Sequence, residues 1–207
     1  MATSEAIKRL SESEYLSLER RAEFKSEFFA GELFAMAGGS PMHSLIAANV
    51  IRELGNKLKG SLCRAFTSDL RLKVQATGLL TYPDVSVFCG PLALAAGTDD
   101  TATNPTLLVE VLSDSTEAYD RGEKFRQYRQ MPSLREYLLI NQRLPRIEQF
   151  IQRDADGWML RTAEDIVASL ALPSLTIAIE LKEVYSGVTF DPGPIRAHAP
   201  PVEKPKS

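Results

Sequence analysis

Hydrophobic and polar positions fall into alternating helical and strand-like periods over most of the chain. Leu45, Ala48, Ile51, Leu54, Gly55 and Leu58 recur at helical spacing, with Arg52, Glu53, Asn56 and Lys57 on the opposite side. This predicts an amphipathic helix from His43 to Lys59, stopped by Gly60. From Leu62 to Val74 the run is interrupted by Ser68-Asp69, after which Leu70, Leu72 and Val74 alternate with Arg71, Lys73 and Gln75, as in a half-exposed strand. Asp84 to Phe88 is strand-like, with Pro83 placed where its missing N–H does least harm. Thr106 to Val111 is apolar on both faces apart from Glu110, the pattern of a buried central strand.

Asp114 and Glu117 have capping-box spacing and open a helix reaching about Gln130, ended by Met131-Pro132. Further strands are expected at 136–141, 146–151, 158–162 and 175–179, with 154–157 as a hairpin turn and a short helix at 181–185. At the other end, Ser11 to Glu14 forms a second capping box before a short helix, and residues 28–37 read as a turn leading into a strand that carries Glu32. Five prolines between Pro192 and Pro205 leave no regular period, so residues 1–190 are read as one domain and 191–207 as a flexible tail. The order of elements predicts an α/β protein with a mixed sheet flanked by helices.

The chain has 207 residues and is 44% hydrophobic, enough for one sizeable core. A formal net charge of −3 gives no strong field for a polyanion, which weighs against nucleic acid without excluding it, because acids gathered around a metal lower the total. Cys63 and Cys89 are too few for a zinc cage, and their apolar contexts suggest buried free thiols in a reducing compartment. No apolar stretch approaches the roughly 20 residues that span a bilayer. A cytoplasmic protein with no membrane association is the expectation.

Candidate chemistry comes from Tyr82-Pro83-Asp84, Glu110 inside its apolar strand, and Lys124 on the helix beyond. Two carboxylates on neighbouring strands are oxygen ligands for a hard cation, magnesium or in its place manganese, and the Val111 carbonyl is a further ligand. Asp120, Lys124 and Tyr128 follow at i,i+4 spacing and share one helical face, from which Lys124 orients or deprotonates a water, or stabilises phosphate as a point charge. Taken singly each residue has a plainer reading. Asp84 is also a turn residue after proline, Glu110 a partner for a structural arginine, Lys124 a solvated lysine, and Glu32 a surface residue of an edge strand. His43, at a helix start, caps it or meets phosphate, and Asp69 and Arg71 either line the same cleft or form an exposed ion pair.

The sequence resembles the Uma-type restriction endonuclease family, a branch of the PD-(D/E)xK nuclease superfamily. The resemblance rests on Phe28 to Leu33 with Met36, on Met42-His43, on Tyr82 to Val85, on Leu108 to Ser113 with Thr116, Asp120, Lys124 and Tyr128, and on Glu136 to Ile140. It covers about Leu10 to Tyr185. It implies a restriction-endonuclease-like core, a central mixed β-sheet flanked by helices, with metal at Asp84 and Glu110 and a cleft for DNA. The superfamily lysine two positions after the second acid is Leu112 here, and Lys124 takes its place. Ala30 stands where an aspartate usually precedes the glycine, and Leu138 where a tryptophan is usual.

The expectation is therefore a magnesium-dependent DNA endonuclease. Asp84, Glu110 and Val111 hold the ion, Lys124 assists the water, and Glu32 supports the site. Phosphate contacts are expected at Arg52, Lys57, Arg71, Lys73, Arg126 and Arg129, and cutting both strands favours a homodimer. The alternative is a catalytically idle nucleic-acid-binding or homo-oligomeric structural domain of the same fold.

Overall fold

The computed structural model describes residues 9–36, 38–154 and 157–190. Helix α1 (Glu12–Glu19) is followed by β1 (Ser26–Phe29), β2 (Glu32–Ala35) and α2 (Pro41–Lys57), then by β3 (Cys63–Thr67), β4 (Arg71–Val74), β5 (Leu79–Thr81), β6 (Val85–Cys89), β7 (Thr101–Ala102) and β8 (Leu107–Leu112). A broken helix comes next: α3 (Glu117–Tyr119), one π-helical turn (Asp120–Lys124) and α4 (Phe125–Tyr128). Strands β9 (Glu136–Asn141), β10 (Ile147–Gln152), β11 (Trp158–Ala163), β12 (Ser169–Leu172) and β13 (Ile177–Glu180) lead to α5 (Leu181–Val184).

The strands form a six-stranded sheet in the order β11-β10-β9-β8-β6-β3, a five-stranded sheet in the order β2-β1-β5-β4-β7, and the β12–β13 hairpin. Both larger sheets are mixed, with β8 parallel to β9 and β4 parallel to β7. The six-stranded sheet is covered on both faces, which is why β8 is apolar throughout except at Glu110. On one face Val85, Val87, Val109 and Val111 meet Ile46, Val50 and Leu54 of α2. On the other, Phe88, Leu108 and Leu112 meet Leu72, Val74 and Leu79 of the second sheet and Tyr128 of α4. Each such fully buried side chain contributes roughly 1.5–3 kcal/mol.

Several expectations are borne out locally. The Ser11–Glu14 capping box forms, with the Glu14 N–H donating to Ser11 Oγ at 3.2 Å and the Ser11 N–H to Glu14 Oε2 at 2.8 Å. Others are corrected. The 28–37 segment contributes two strands rather than one, joined by a turn in which Ala30 (φ 52°) and Gly31 (φ 88°) are left-handed. The 62–74 run is two strands in different sheets, because Ser68-Asp69 lies between β3 and β4 and sends the chain from one sheet to the other. The expected 114–130 helix begins at Glu117 and contains the π turn, and Asp114 pairs with Arg143 instead of capping. Cys63 and Cys89 are not free thiols. They stand opposite each other on antiparallel β3 and β6 and are joined in a disulfide. The Pro-rich stretch from Asp191 and the centre of the 154–157 turn lie outside the described residues.

Candidate active site

Pairing of β6 with β8 sets the two acids together. The register that places Val85 against Val109 brings Asp84, one residue ahead of β6, opposite Glu110. The Asp84 N–H points to Glu110 Oε2 at 3.4 Å, and the Val111 N–H donates to Asp84 Oδ2 at 2.7 Å. The two carboxylates therefore share one face of the sheet, as cross-strand neighbours must.

Lys124 enters from the π-helical turn. A π turn is wider than an α turn and is frequent at functional sites; here it leaves both Asp120 and Lys124 buried, at 2% and 4% exposure. Lys124 Nζ lies 3.0 Å from Glu110 Oε1, 3.1 Å from Glu27 Oε1 and 3.5 Å from Asp120 Oδ1. Tyr128, one turn on, donates its hydroxyl to Glu110 Oε1 at 2.8 Å. The outward residues of the same helix are paired too, Arg121 with Glu117 and with Glu148 of β10, and Arg126 with Glu123.

Electrostatics follow from this crowding. Burial raises the Glu110 carboxyl well above its ordinary range; the Lys124 charge opposes the shift, while Asp120 and Asp84 add to it. Burial pulls the Lys124 ammonium down, but Glu110, Glu27 and Asp120 overcome it, and the group stays protonated well above its ordinary value. Asp120 is likewise raised, first by burial. His43 arrives from the start of α2, where Ser40 caps the helix by accepting the His43 N–H at 3.1 Å. Its Nε2 sits 3.2 Å from Asp84 Oδ2, and that hydrogen bond, against the effect of burial and with help from the Val111 carbonyl, raises its pKa.

Asp84, Glu110, Lys124 and the backbone of Val111 are thus brought together, and His43 joins them. Glu32 is not. It lies on the edge strand β2 with its side chain 55% exposed, 4.0 Å from Arg9. Glu27 of β1 is the residue that reaches Lys124, held by the hydroxyls of Thr81 and Tyr119. Sequence reasoning missed it because either glutamate of the hairpin fits an inward position; the choice depends on β1 being the interior strand, between β2 and β5.

Most of the expected phosphate contacts are engaged elsewhere. Arg71 is 3% exposed and pairs with Asp100 at 2.7 Å, Lys73 with Glu12 at 2.6 Å, and Arg52 with Glu183 at 3.3 Å. Asp69 holds Lys25 at 2.5 Å.

Among the described residues no group of three or more His, Cys, Asp and Glu side chains closes into a metal cage. The residues present nevertheless fit a magnesium-like ion, which is commonly held by one or two carboxylates, with waters and phosphate oxygens completing its shell. Charge supports the fit. Glu27, Glu110 and Asp120 face a single ammonium, and Asp84 adds a further carboxylate, which accepts the Val111 N–H. Excess buried negative charge is relieved by a proton or a cation.

The profile of the Uma2 family, described as "Putative restriction endonuclease", matches residues 12–180. The chain belongs to that family. Two uncharacterised proteins of Synechocystis sp. strain PCC 6803 are similar over most of their length. One is 39% identical over 184 residues, covering 88% of this chain and 94% of that protein; the other is 37% identical over 151 residues, covering 73% and 85%. In fold, the Uma2 chain is similar to a crystal structure from Anabaena variabilis described as a putative nuclease belonging to DUF820. The TM-score is 0.68 at 19% identity, over 84% of this chain and 96% of that one. The family description thus points to a restriction-endonuclease-like nuclease, a class whose members generally use divalent metals, and the crystal structure shares its fold. Among the described residues no helix is long and apolar enough to cross a membrane.

Proposed function

We propose that the protein is a magnesium-dependent endonuclease that hydrolyses phosphodiester bonds in DNA, with Asp84, Glu110 and Lys124 as its catalytic residues. The observation that carries this reading is the Lys124 ammonium, buried against Glu110 next to the Asp84 carboxylate. Magnesium, bound by Asp84, Glu110 and the Val111 carbonyl, would polarise the phosphate and lower the pKa of an attacking water. Ion-paired with Glu110, Glu27 and Asp120, Lys124 acts as a fixed positive charge toward the phosphoryl oxygens. Glu27 and Asp120 hold that charge in place, and Tyr128 fixes the Glu110 rotamer by occupying Oε1, which leaves Oε2 toward Asp84. In the net reaction the water oxygen bonds to phosphorus, the bond to the leaving sugar oxygen breaks, and that oxygen takes up a proton. The exposed edge strand β2, with Leu33 and Phe34 44% and 48% exposed, is the surface suited to a homodimer.

Nicking of negatively supercoiled plasmid, whose underwinding opens unpaired segments, tests this reading in magnesium. Wild-type protein should nick, EDTA should stop it, and Asp84→Asn and Glu110→Gln should each lower the rate by 100-fold or more. Nicking that survives both substitutions would refute it.

A further inference from the structure

A cleft of about 680 Å³ opens directly on Asp84 and His43 and is walled by Ala47, Ala48 and Ile51 of α2 and by Thr67 at the end of β3. A second hollow of about 370 Å³ continues from the same Ile51 past Gly55 to Lys59 and Arg64. Together they trace one groove between α2 and β3, the edge strand of the six-stranded sheet. From His43 to Gly55 the helix rises about 18 Å, the length of about five nucleotides at the ~3.4 Å spacing of a stacked strand.

Three features of the groove select its occupant. Phe24 lines the end beside Asp84 and is 79% exposed, so its ring is open to a flat partner. The middle is walled by alanines, Ile51 and Gly55, a surface for bases rather than phosphates. At the far end Lys59 and Arg64 are exposed cations, whereas Arg52, Lys57, Arg71, Lys73 and Arg126 each lie within 4.0 Å of a carboxylate. In an intact duplex the base faces are stacked on one another and have none to offer Phe24, and a chain of net charge −3 has little long-range attraction for a duplex.

We infer that the groove between α2 and β3 is the track for one unpaired strand of the DNA substrate, with a base stacked on Phe24 beside Asp84 and backbone phosphates met by Lys59 and Arg64. This rests on the nuclease reading of the Asp84–Glu110–Lys124 site and names its substrate form.

The test is fluorescence anisotropy of the full chain in EDTA with a labelled 12-nucleotide single strand and the matching 12-base-pair duplex. Hydrolysis of bis(p-nitrophenyl) phosphate in manganese serves as a strand-independent readout of the catalytic centre. The single strand should bind at least ten-fold tighter than the duplex, and Phe24→Ala should weaken it about ten-fold. The double variant Lys59→Gln, Arg64→Gln should lower the slope of log affinity against log salt by about 1.4, the value for two lost single-strand phosphate contacts. Both variants should hydrolyse the small diester at the wild-type rate. Equal or tighter duplex binding, or unchanged single-strand affinity in both variants, overturns the groove assignment. If wild-type protein prefers the single strand through Phe24, Lys59 and Arg64 yet leaves the small diester intact, the nuclease reading falls and the groove stands as a binding site.

Discussion

Glu27 Oε1 lies 3.1 Å from Lys124 Nζ, across 97 positions of sequence, and joins the five-stranded sheet to the helix that follows β8. A carboxylate at that distance holds the ammonium without touching the neighbouring Asp84–Glu110 pair. Glu27→Gln should therefore lower the nicking rate about 10–100-fold, equivalent to ~1.4–2.7 kcal/mol in the barrier, with KM nearly unchanged. Glu27→Asp should restore part of the loss. Glu32→Gln, on the exposed edge strand, should stay within about two-fold of wild type, and steady-state kinetics of the three variants separates the roles.

Removing the charge at the centre of the cluster should expose its imbalance. Lys124→Met leaves Glu27, Glu110 and Asp120 buried around no cation, at a destabilisation of roughly 3–5 kcal/mol near neutral pH. Carboxyls with raised pKa bind protons more readily in the folded than in the unfolded chain, so the stability of this variant should rise as pH falls from 8 toward 5. Urea unfolding at several pH values measures both effects.

Asp100 shows the opposite linkage. Hydrogen bonds from Arg20 foremost, and from Arg71 and Thr101, outweigh the effect of partial burial and hold its carboxyl well below the usual range. A depressed folded pKa contributes stability that is complete above the unfolded value of about 3.9 and is lost as pH falls through the folded one. Asp100→Asn should cost about 1–3 kcal/mol at pH 7, because Arg71 is buried and loses its carboxylate partner. Its acid unfolding curve below pH 4 should be flatter than that of wild type.

The link between Cys63 and Cys89 predicts that denatured, unreduced protein takes up no iodoacetamide, as mass spectrometry reads directly. With the cysteines 26 positions apart, reduction should lower stability by roughly 3.5 kcal/mol. Thermal melts with and without a reductant check this value.

Local chemistry determined much of this molecule. The Ser11–Glu14 cap, the α2 helix, the doubly buried β8 and the acid inside it all follow from short-range periodicity, because burial on one or both faces leaves its period in the chain. The i,i+4 placement of Asp120, Lys124 and Tyr128 was readable for the same reason, although the π turn was not.

Only tertiary structure decided which neighbours each strand has. It put β1 inside the sheet and β2 at its edge, and so made Glu27 rather than Glu32 the partner of Lys124. It also divided the 62–74 run between two sheets, buried Arg71 against Asp100, and set Cys63 opposite Cys89. The physical reason is common to all of these. A strand's alternation says that one face is buried, while the identity of the residue across the ladder depends on pairings between segments far apart in sequence.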